Sequence, residues 1–468
     1  MNLYNSLTKK TESFTALKDN AVRMYSCGPT VYDHIHIGNL SAFIVADTLR
    51  RVLQASDYVV EHVMNFTDVD DKTIRRSRES YSDIDAKLAL EKLTSEYSAI
   101  FVDDMTAVGN DISAYTFVKA TDAIPQMQEL IRELHEQKFA YIADDGVYFS
   151  IEAYKKSGKK YGQLVELSES STSEARIAND EYDKDNVHDF ALWKTQKTGE
   201  PAWEFEIDGH DLNGRPGWHI ECSAMSTEKL GQPFDIHTGG VDLKFPHHEN
   251  EIAQSTAGKN NPVYASFFVH NEHLLVDNQK MSKSLNNFYT LKDITDKGFD
   301  PLAFRVLVLQ SHYRSQAHFS WENLQAAQNF LQKLRAWTDL QFQELPKPDH
   351  VSSLSMQEFG MSLRKELAND LNTPGAFAVL AGLLELTDTH GLTAEDIRSA
   401  AGFLDDLFGL ELSTRSDITD EQKQVIAERE AARKAQDWTK SDELRGKLTE
   451  QGIGLRDMPD NATLWFRL

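Results

Sequence analysis

Cysteine is nearly absent from this sequence: Cys27 and Cys222 are the only two among 468 residues. A disulfide-stapled secreted scaffold is thereby excluded. Two thiols so far apart are either unrelated buried side chains or ligands of one metal. Long apolar runs are missing too, so no segment is expected to span a membrane. Met1 to Phe14 is polar and charged and does not read as a signal peptide, so a cytoplasmic location is expected. Positive charge is scarce. The 49 Lys and Arg against 73 Asp and Glu give a net charge of -24. A protein that coats nucleic acid non-specifically needs clustered cations, and that class is excluded. A specific RNA partner is not, because a local basic patch can sit on an acidic body. Internal repeats are absent as well.

What is present is enough apolar residue, 40%, for sizeable cores. The length suggests about three domains of ~150 residues. Val22 to Cys27 alternates like a strand. Gly28-Pro29 breaks it, and Leu40 to Leu53 reads as an amphipathic helix. Tyr58 to Met64 reads as a second strand. This order suits an α/β fold with a doubly wound, parallel, Rossmann-like sheet that binds ligands at the carboxyl ends of its strands. From Ile124 to Trp203 the character changes to short β-like pieces, Gly146–Phe149 and Phe190–Trp193, between polar segments. That stretch reads as an insertion, with Glu166 to Asp185 as an exposed loop. Phe267 to Val276 reads as a buried strand. Leu324 to Leu340 and Leu363 to Leu386 read as amphipathic helices. A linker, Leu412 to Thr419, precedes one charged helix, Glu421 to Gln451, ended by Gly452 and Gly454.

Two motifs carry chemistry. His34-Ile35-His36-Ile37-Gly38-Asn39 lies between the first strand and its helix. His34 and His36 can point imidazoles at a phosphate near a helix start. Gly38 lets a nucleotide ring approach the backbone. Lys280-Met281-Ser282-Lys283-Ser284 lies far downstream. Lys280 and Lys283 supply mobile charge for the β- and γ-phosphates as pyrophosphate leaves. Alone, each motif has a bland reading as surface histidines or a solvated basic loop. In this order they describe a site that holds ATP from two sides. The cysteines have neighbours of their own. Cys27 ends the first strand, and Cys222 follows Gly217-Trp218-His219-Ile220-Glu221. In Pro246-His247-His248-Glu249-Asn250-Glu251, His247 and Glu251 share a helix face at i, i+4. His248 with Glu251, at i, i+3, is the other possibility. Two thiolates, an imidazole and a carboxylate make a zinc site.

With these motifs the chain resembles the class I aminoacyl-tRNA synthetases, and around them it resembles the cysteinyl enzymes. Asn39, where His is commoner, and the metal constellation carry that likeness. Ser284-Leu285-Asn286-Asn287-Phe288 departs slightly from the family's usual Gly-Asn-Phe ending. The resemblance favours His247 as the ligand beside Cys27, Cys222 and Glu251. It implies His36, Gly38, Asn39, Gly240, Asp242 and Lys283 at ATP, and Thr67, Trp218 and His237 at cysteine. It implies anticodon contacts by Arg433, Trp438, Asp442, Arg445 and Asp457, although periodicity alone favours a solvated helix face with one buried Trp. The implied domains are a nucleotide-binding catalytic domain at 1–123 and 206–275, split by a connective insertion at 124–205. A lysine-loop region follows at 276–318, a helical bundle at 319–411 and an anticodon-binding domain at 412–468.

The implied activity is ATP-dependent ligation of L-cysteine to tRNA(Cys) through a cysteinyl adenylate. One Zn2+ and Mg2+ with ATP are the implied cofactors, and a monomer is expected. Zinc suits the choice of cysteine over serine, because it prefers a thiolate to a neutral hydroxyl, whereas a pocket alone separates near-isosteres poorly. Two rivals stand. A cysteine:amino-sugar ligase shares the adenylation step but lacks an anticodon end. A non-catalytic RNA-binding paralogue would keep the fold without intact His and Lys motifs.

Overall fold

The computed structural model describes residues 1–166, 189–259, 262–276, 279–281, 287–345, 356–386, 392–458 and 463–468. Two compact units result: one of Met1–Leu275, Gln279–Leu291 and Tyr313–Ala317, the other of Val276–Asn278, Lys292–His312 and His318–Leu468. Among the described residues, no helix is long and apolar enough to cross a membrane.

The first unit is built on five parallel strands: β1 (Ala21–Ser26), β2 (Val59–Phe66), β3 (Tyr115–Lys119), β4 (Phe234–Gly240) and β5 (Ala265–Asn271), in the order β5-β4-β1-β2-β3. The later residues of β2 are buried without interruption, as suits a sheet covered on both faces. Helix α1 (Ile37–Gln54) follows β1 and buries Leu40, Phe43, Ile44, Leu49, Val52 and Leu53. Helix α2 (Asp71–Ser80) follows β2 and starts in a capping box: Asp70 accepts the Thr73 N–H at 2.7 Å, and the Thr73 hydroxyl accepts the Asp70 N–H at 2.7 Å. Between β3 and β4 lies an antiparallel sheet of Ala140–Ala143, Gly146–Phe149, Phe190–Thr195 and Gly214–Pro216. It shares one hydrophobic core with the parallel sheet. Helix α3 (Trp218–Leu230) leads into β4, and α4 (His247–Thr256) leads from β4 towards β5. The order of the strands reverses at β1 and β4. A crevice opens there at their carboxyl ends, as doubly wound sheets require.

The second unit is helical, with helices Pro301–Leu309, Trp321–Thr338, Met356–Leu367, Thr373–Leu386 and Ala394–Phe408. It ends in α5 (Asp420–Lys434), α6 (Trp438–Glu450) and a hairpin of Ile453–Asp457 with Thr463–Arg467. Ile418, Val425, Ile426, Leu444, Leu448, Ile453 and Trp465 form the core of that end.

Four expectations are corrected. The charged helix over 421–451 is two helices, because Gln436 turns left-handed (φ 59°) and Asp437 restarts the chain by accepting the Lys440 N–H. The stretch 363–386 is also interrupted. Asp370 and Leu371 have φ of 56° and 50°, and Asn372 Oδ1 accepts the Gly375 N–H at 3.2 Å in the turn that contains Pro374. Phe267 to Val276 is not one strand, since Glu272 and His273 separate β5 from Leu274–Val276. Gly452, at φ 74°, follows α6, but Gly454 belongs to the hairpin, where a Cβ would lie 2.5 Å from the Phe466 ring. The exposed loop expected at 166–185 falls outside the described residues from 167 onwards.

Candidate active site and metal centre

A cavity of about 490 Å³ opens at the carboxyl ends of β1 and β4. Cys27, His34, His36, Gly38, Asn39, Trp218, Gly240 and Asp242 all line it. Seven of these stood in the expected ATP, cysteine or phosphate roles, and Cys27 in the metal role. Gly38 is packed against neighbours: a Cβ there would meet Met281 at 2.5 Å and the His36 ring at 2.9 Å.

His36 caps α1. Its Nδ1 accepts the Asn39 N–H at 3.1 Å. Burial lowers its pKa to about 4, against the opposing pull of Asp242. The ring is therefore neutral near pH 7, and its proton sits on Nε2. A neutral imidazole with Nε2–H is a hydrogen-bond donor that adds no fixed charge. His34 meets the Tyr97 ring edge-on, with centroids 5.6 Å apart. Lys280 belongs to the short strand Gln279–Lys280; Lys283 lies outside the described residues.

The wall behind the cavity is a buried cluster. Ligating atoms of Cys27, Cys222, His247 and Glu251 all lie within 4.8 Å of one another. The Cys27 and Cys222 sulfurs are 3.8 Å apart and unbonded, Cys27 Sγ is 3.7 Å from Glu251 Oε1, and His247 Nε2 is 3.2 Å from the same oxygen. A second quartet overlaps it: Cys27, His237, His248 and Glu251 satisfy the same limit. Geometry alone thus leaves the choice between His247 and His248 open. His248 Nε2 is 3.3 Å from Cys27 Sγ, and its other nitrogen bonds His270 at 2.8 Å.

Each donor is oriented from behind. His247 Nδ1 meets His219 Nδ1 at 3.0 Å, and Trp218 stacks on the His247 ring at 4.2 Å. Glu251 Oε2 bonds His237 at 2.7 Å and Tyr264 at 2.8 Å. Burial acts to raise the Glu251 carboxyl, but His237 and His247 outweigh it and hold the group below its ordinary value. Burial likewise opposes charge on His247, and Glu251 and Cys222 overcome it. Burial pushes the Cys27 thiol up, and Cys222 adds to the shift. Cys222 moves the other way, to about 6, because the hydrogen bond from Cys27 together with His247 overcomes burial. A buried thiolate, carboxylate and imidazole pointed at one spot are what a divalent cation requires, so the donor set fits a metal.

Thr67 and His237 do not line the cavity. Both are buried, and each bonds a carboxyl group: Thr67 that of Glu221 at 2.8 Å, His237 that of Glu251. Sequence reasoning missed Asn65, Glu221, His219, His270 and Tyr264. His219 and Glu221 lie on α3 beside Cys222, whereas Asn65, His270 and Tyr264 reach the cluster from other parts of the chain and no local pattern marks them.

In the second unit, Arg433, Arg445 and Asp457 come together, joined by the unforeseen Arg429. Arg429 grips both Asp457 oxygens, at 2.7 and 2.9 Å, Arg445 adds a bond of 2.7 Å, and Arg433 also contacts the carboxylate. Arg429 leads the causes that hold Asp457 down at about 2. Trp438 is 59% exposed, so the buried Trp of the bland reading is not what is found. Asp442 is exposed on the same helix.

The fold and site define a class I aminoacyl-tRNA synthetase. A methionyl-tRNA synthetase from Mycobacterium tuberculosis in complex with methionyl-adenylate shares the fold at 12% identity, with a TM-score of 0.59 over 85% of this chain and 93% of that one. A LeuRS-tRNA-LeuAMS complex from Agrobacterium radiobacter K84 shares it with a TM-score of 0.60, at 12% identity over 86% of this chain and 85% of that one. The model for the tRNA synthetases class I (C) catalytic domain matches residues 13–329, and that for the cysteinyl-tRNA ligase anticodon binding domain matches 415–464. A cysteine–tRNA ligase of Brachyspira hyodysenteriae is 39% identical over 99% of this chain and 98% of its own length. One of Chlamydia trachomatis serovar A is 40% identical over 97% of each. The chain belongs to the cysteine–tRNA ligase family.

Proposed function

We propose that this chain activates L-cysteine with ATP and transfers it to tRNA(Cys), with Zn2+ at the buried cluster and Mg2+ accompanying ATP. The observation that carries the reading is the convergence of Cys27, Cys222, His247 and Glu251 beside the cavity that the His34–Asn39 loop lines. Donor atoms that would bind one zinc ion at ~2.0–2.3 Å would lie about 3–4 Å from one another. The sulfur–sulfur distance of 3.8 Å and the His247–Glu251 distance of 3.2 Å lie in that range. A zinc ion held there would bind the cysteine sulfur as thiolate and leave serine's hydroxyl unrewarded.

The chain's own groups do the rest by positioning and by stabilising charge. The cysteine carboxylate attacks the α-phosphorus, and the bond to the β-phosphate oxygen breaks. His36 Nε2–H and the His34 imidazole donate to phosphate oxygens as charge builds. Lys280 and Lys283 neutralise the departing pyrophosphate. Gly240 admits the ribose, and Asp242 accepts from its hydroxyls. A terminal ribose hydroxyl of tRNA then attacks the carbonyl carbon and expels AMP. Thr67, Trp218 and His237 shape the amino-acid end. Arg433, Trp438, Asp442, Arg445 and Asp457 read the anticodon. The domain divisions at 124, 206, 276, 319 and 412, a monomeric state and a cytoplasmic location belong to the same proposal.

The match of residues 415–464 to an anticodon-binding domain argues against the amino-sugar ligase. ATP–pyrophosphate exchange with cysteine, followed by charging of purified tRNA, tests the reading. Both reactions are expected, with one zinc per chain in protein purified without added metal. Exchange without charging overturns the tRNA step. Full metal occupancy in Cys222→Ala overturns the metal site.

A further inference from the structure

The two thiols are joined by more than their own proximity. Asn65, 1% exposed at the end of β2, accepts the Gly28 N–H on Oδ1 at 2.8 Å. Its Nδ2 donates to Thr67 Oγ1 at 3.2 Å. The Thr67 hydroxyl donates onward to Glu221 Oε2 at 2.8 Å. Gly28 follows Cys27 in the chain, and Glu221 precedes Cys222. The bonds therefore close a ring: Cys27, Gly28, Asn65, Thr67, Glu221, Cys222, and back across the 3.8 Å sulfur–sulfur gap. Asn65 Oδ1 also lies 3.7 Å from Cys222 Sγ. Gly28 cannot be replaced beside this ring, because a Cβ there would lie 1.7 Å from the backbone carbonyl oxygen of Asn65.

Cys27 follows strand β1 and Cys222 lies on helix α3, so two separate elements supply the sulfurs. The hydrogen-bonded ring ties these two elements together independently of any metal. We propose that Asn65 is the positioning residue that sets the spacing of Cys27 and Cys222, acting through Gly28 on one side and through Thr67 and Glu221 on the other. Its amide serves both sides at once: the carbonyl holds one loop, and the N–H fixes which way the Thr67 hydroxyl points. A ligand sphere fixed before the metal arrives binds it more tightly, and groups behind the ligands typically contribute about 10–100-fold in metal affinity. This inference rests on the metal reading above.

The test uses the full chain, stripped of metal and titrated with Co2+ against a chromophoric chelator. The parent should bind one Co2+ and show a thiolate-to-cobalt absorption band. Asn65→Ala should bind on the order of 10–100-fold more weakly and with a shifted band. Should that variant fail to melt cooperatively, Thr67→Val decides, because it opens the ring at one hydroxyl with little change of volume. It should weaken binding, and Thr67→Ser should restore it. Parent-like affinity and spectrum in Asn65→Ala or in Thr67→Val overturn the inference. A parent chain that binds no Co2+ overturns the metal reading itself, and the inference with it.

Discussion

The distances of single side chains decide what this chain can do. On the proposed mechanism the cavity offers a neutral imidazole at His36, alongside His34, but needs mobile positive charge when pyrophosphate leaves. Lys283 is therefore expected to matter in the transition state more than in binding. Lys283→Ala should lower the rate of ATP–pyrophosphate exchange by on the order of a hundredfold or more. The KM for cysteine should stay near the parent's. An exchange rate close to the parent's would remove Lys283 from the mechanism. Asp457 makes a different prediction. Its carboxyl is held at about 2 by Arg429 first, then by Arg433 and Arg445. In the unfolded chain an aspartate titrates near 3.9. The folded pKa is the lower one, so this carboxylate's contribution to stability is complete above the unfolded value. It is lost as pH falls through about 4 towards 2. Hydrogen exchange of the Ile453–Asp457 hairpin should be slower in the parent than in Asp457→Asn at pH 6, and the difference should shrink below pH 4. A gap that persists unchanged at pH 2.5 would mean that the arginine cluster does not stabilise the hairpin.

At the scale of elements, most of what positions the cavity was legible. The first strand, the loop of His34 and His36 and the helix after it were readable because apolar periodicity and Gly28-Pro29 punctuate them clearly. The clustering of Cys27, Cys222 and Glu251 was readable because scarcity made the cysteines conspicuous, while helical spacing set both His247 and His248 beside Glu251 and left the choice between them open, as the geometry does. The breaks inside the later helices were not. Gln436 adopts left-handed backbone without being Gly or Asn, so no residue type announced that turn; the other break did carry a signal, Asn372-Thr373-Pro374-Gly375, which the apolar periodicity on either side masked. The hydrogen bonds behind the metal cluster were not legible either. Asn65, Glu221 and Tyr264 come from three elements distant in sequence, and only the folded sheet brings them together. The restart after Gln436 gives a prediction of its own. Asp437 caps α6 by accepting the Lys440 N–H at 3.1 Å, and the exposed Trp438 is the first residue of that helix. Asp437→Ala should cost about 1 kcal/mol of local stability. It should also raise the KM for tRNA while leaving pyrophosphate exchange unchanged. Unaltered charging kinetics would show that the start of α6 takes no part in tRNA binding.

At the scale of the whole molecule, a net charge of -24 must still admit a polyanion. Contact with RNA then depends on local groups, and the end formed by α5, α6 and the hairpin supplies Arg433, Arg445 and the exposed Trp438. Every described residue that lines the cavity belongs to the first unit. Deleting Glu421 to Leu468 should therefore leave cysteine-dependent pyrophosphate exchange near the parent rate. The remainder of the second unit keeps an important anchor. Asp339 is fully buried and loses Arg467, but Arg415 still holds both of its oxygens, at 3.0 and 2.8 Å. Ile418 loses its core partners, so a modest fall in thermal midpoint is expected alongside intact exchange. Charging of tRNA should fall strongly. One base stacked on an indole is worth about 1–3 kcal/mol, so Trp438→Ala alone should weaken charging by roughly five- to a hundredfold. The dependence of the remaining activity on salt should also become shallower, because fewer phosphate contacts release fewer counterions. A truncated chain that folds, exchanges pyrophosphate and still charges tRNA at the parent rate would show that this end is not the anticodon reader. The specificity for tRNA would then have to lie in the residues before Glu421.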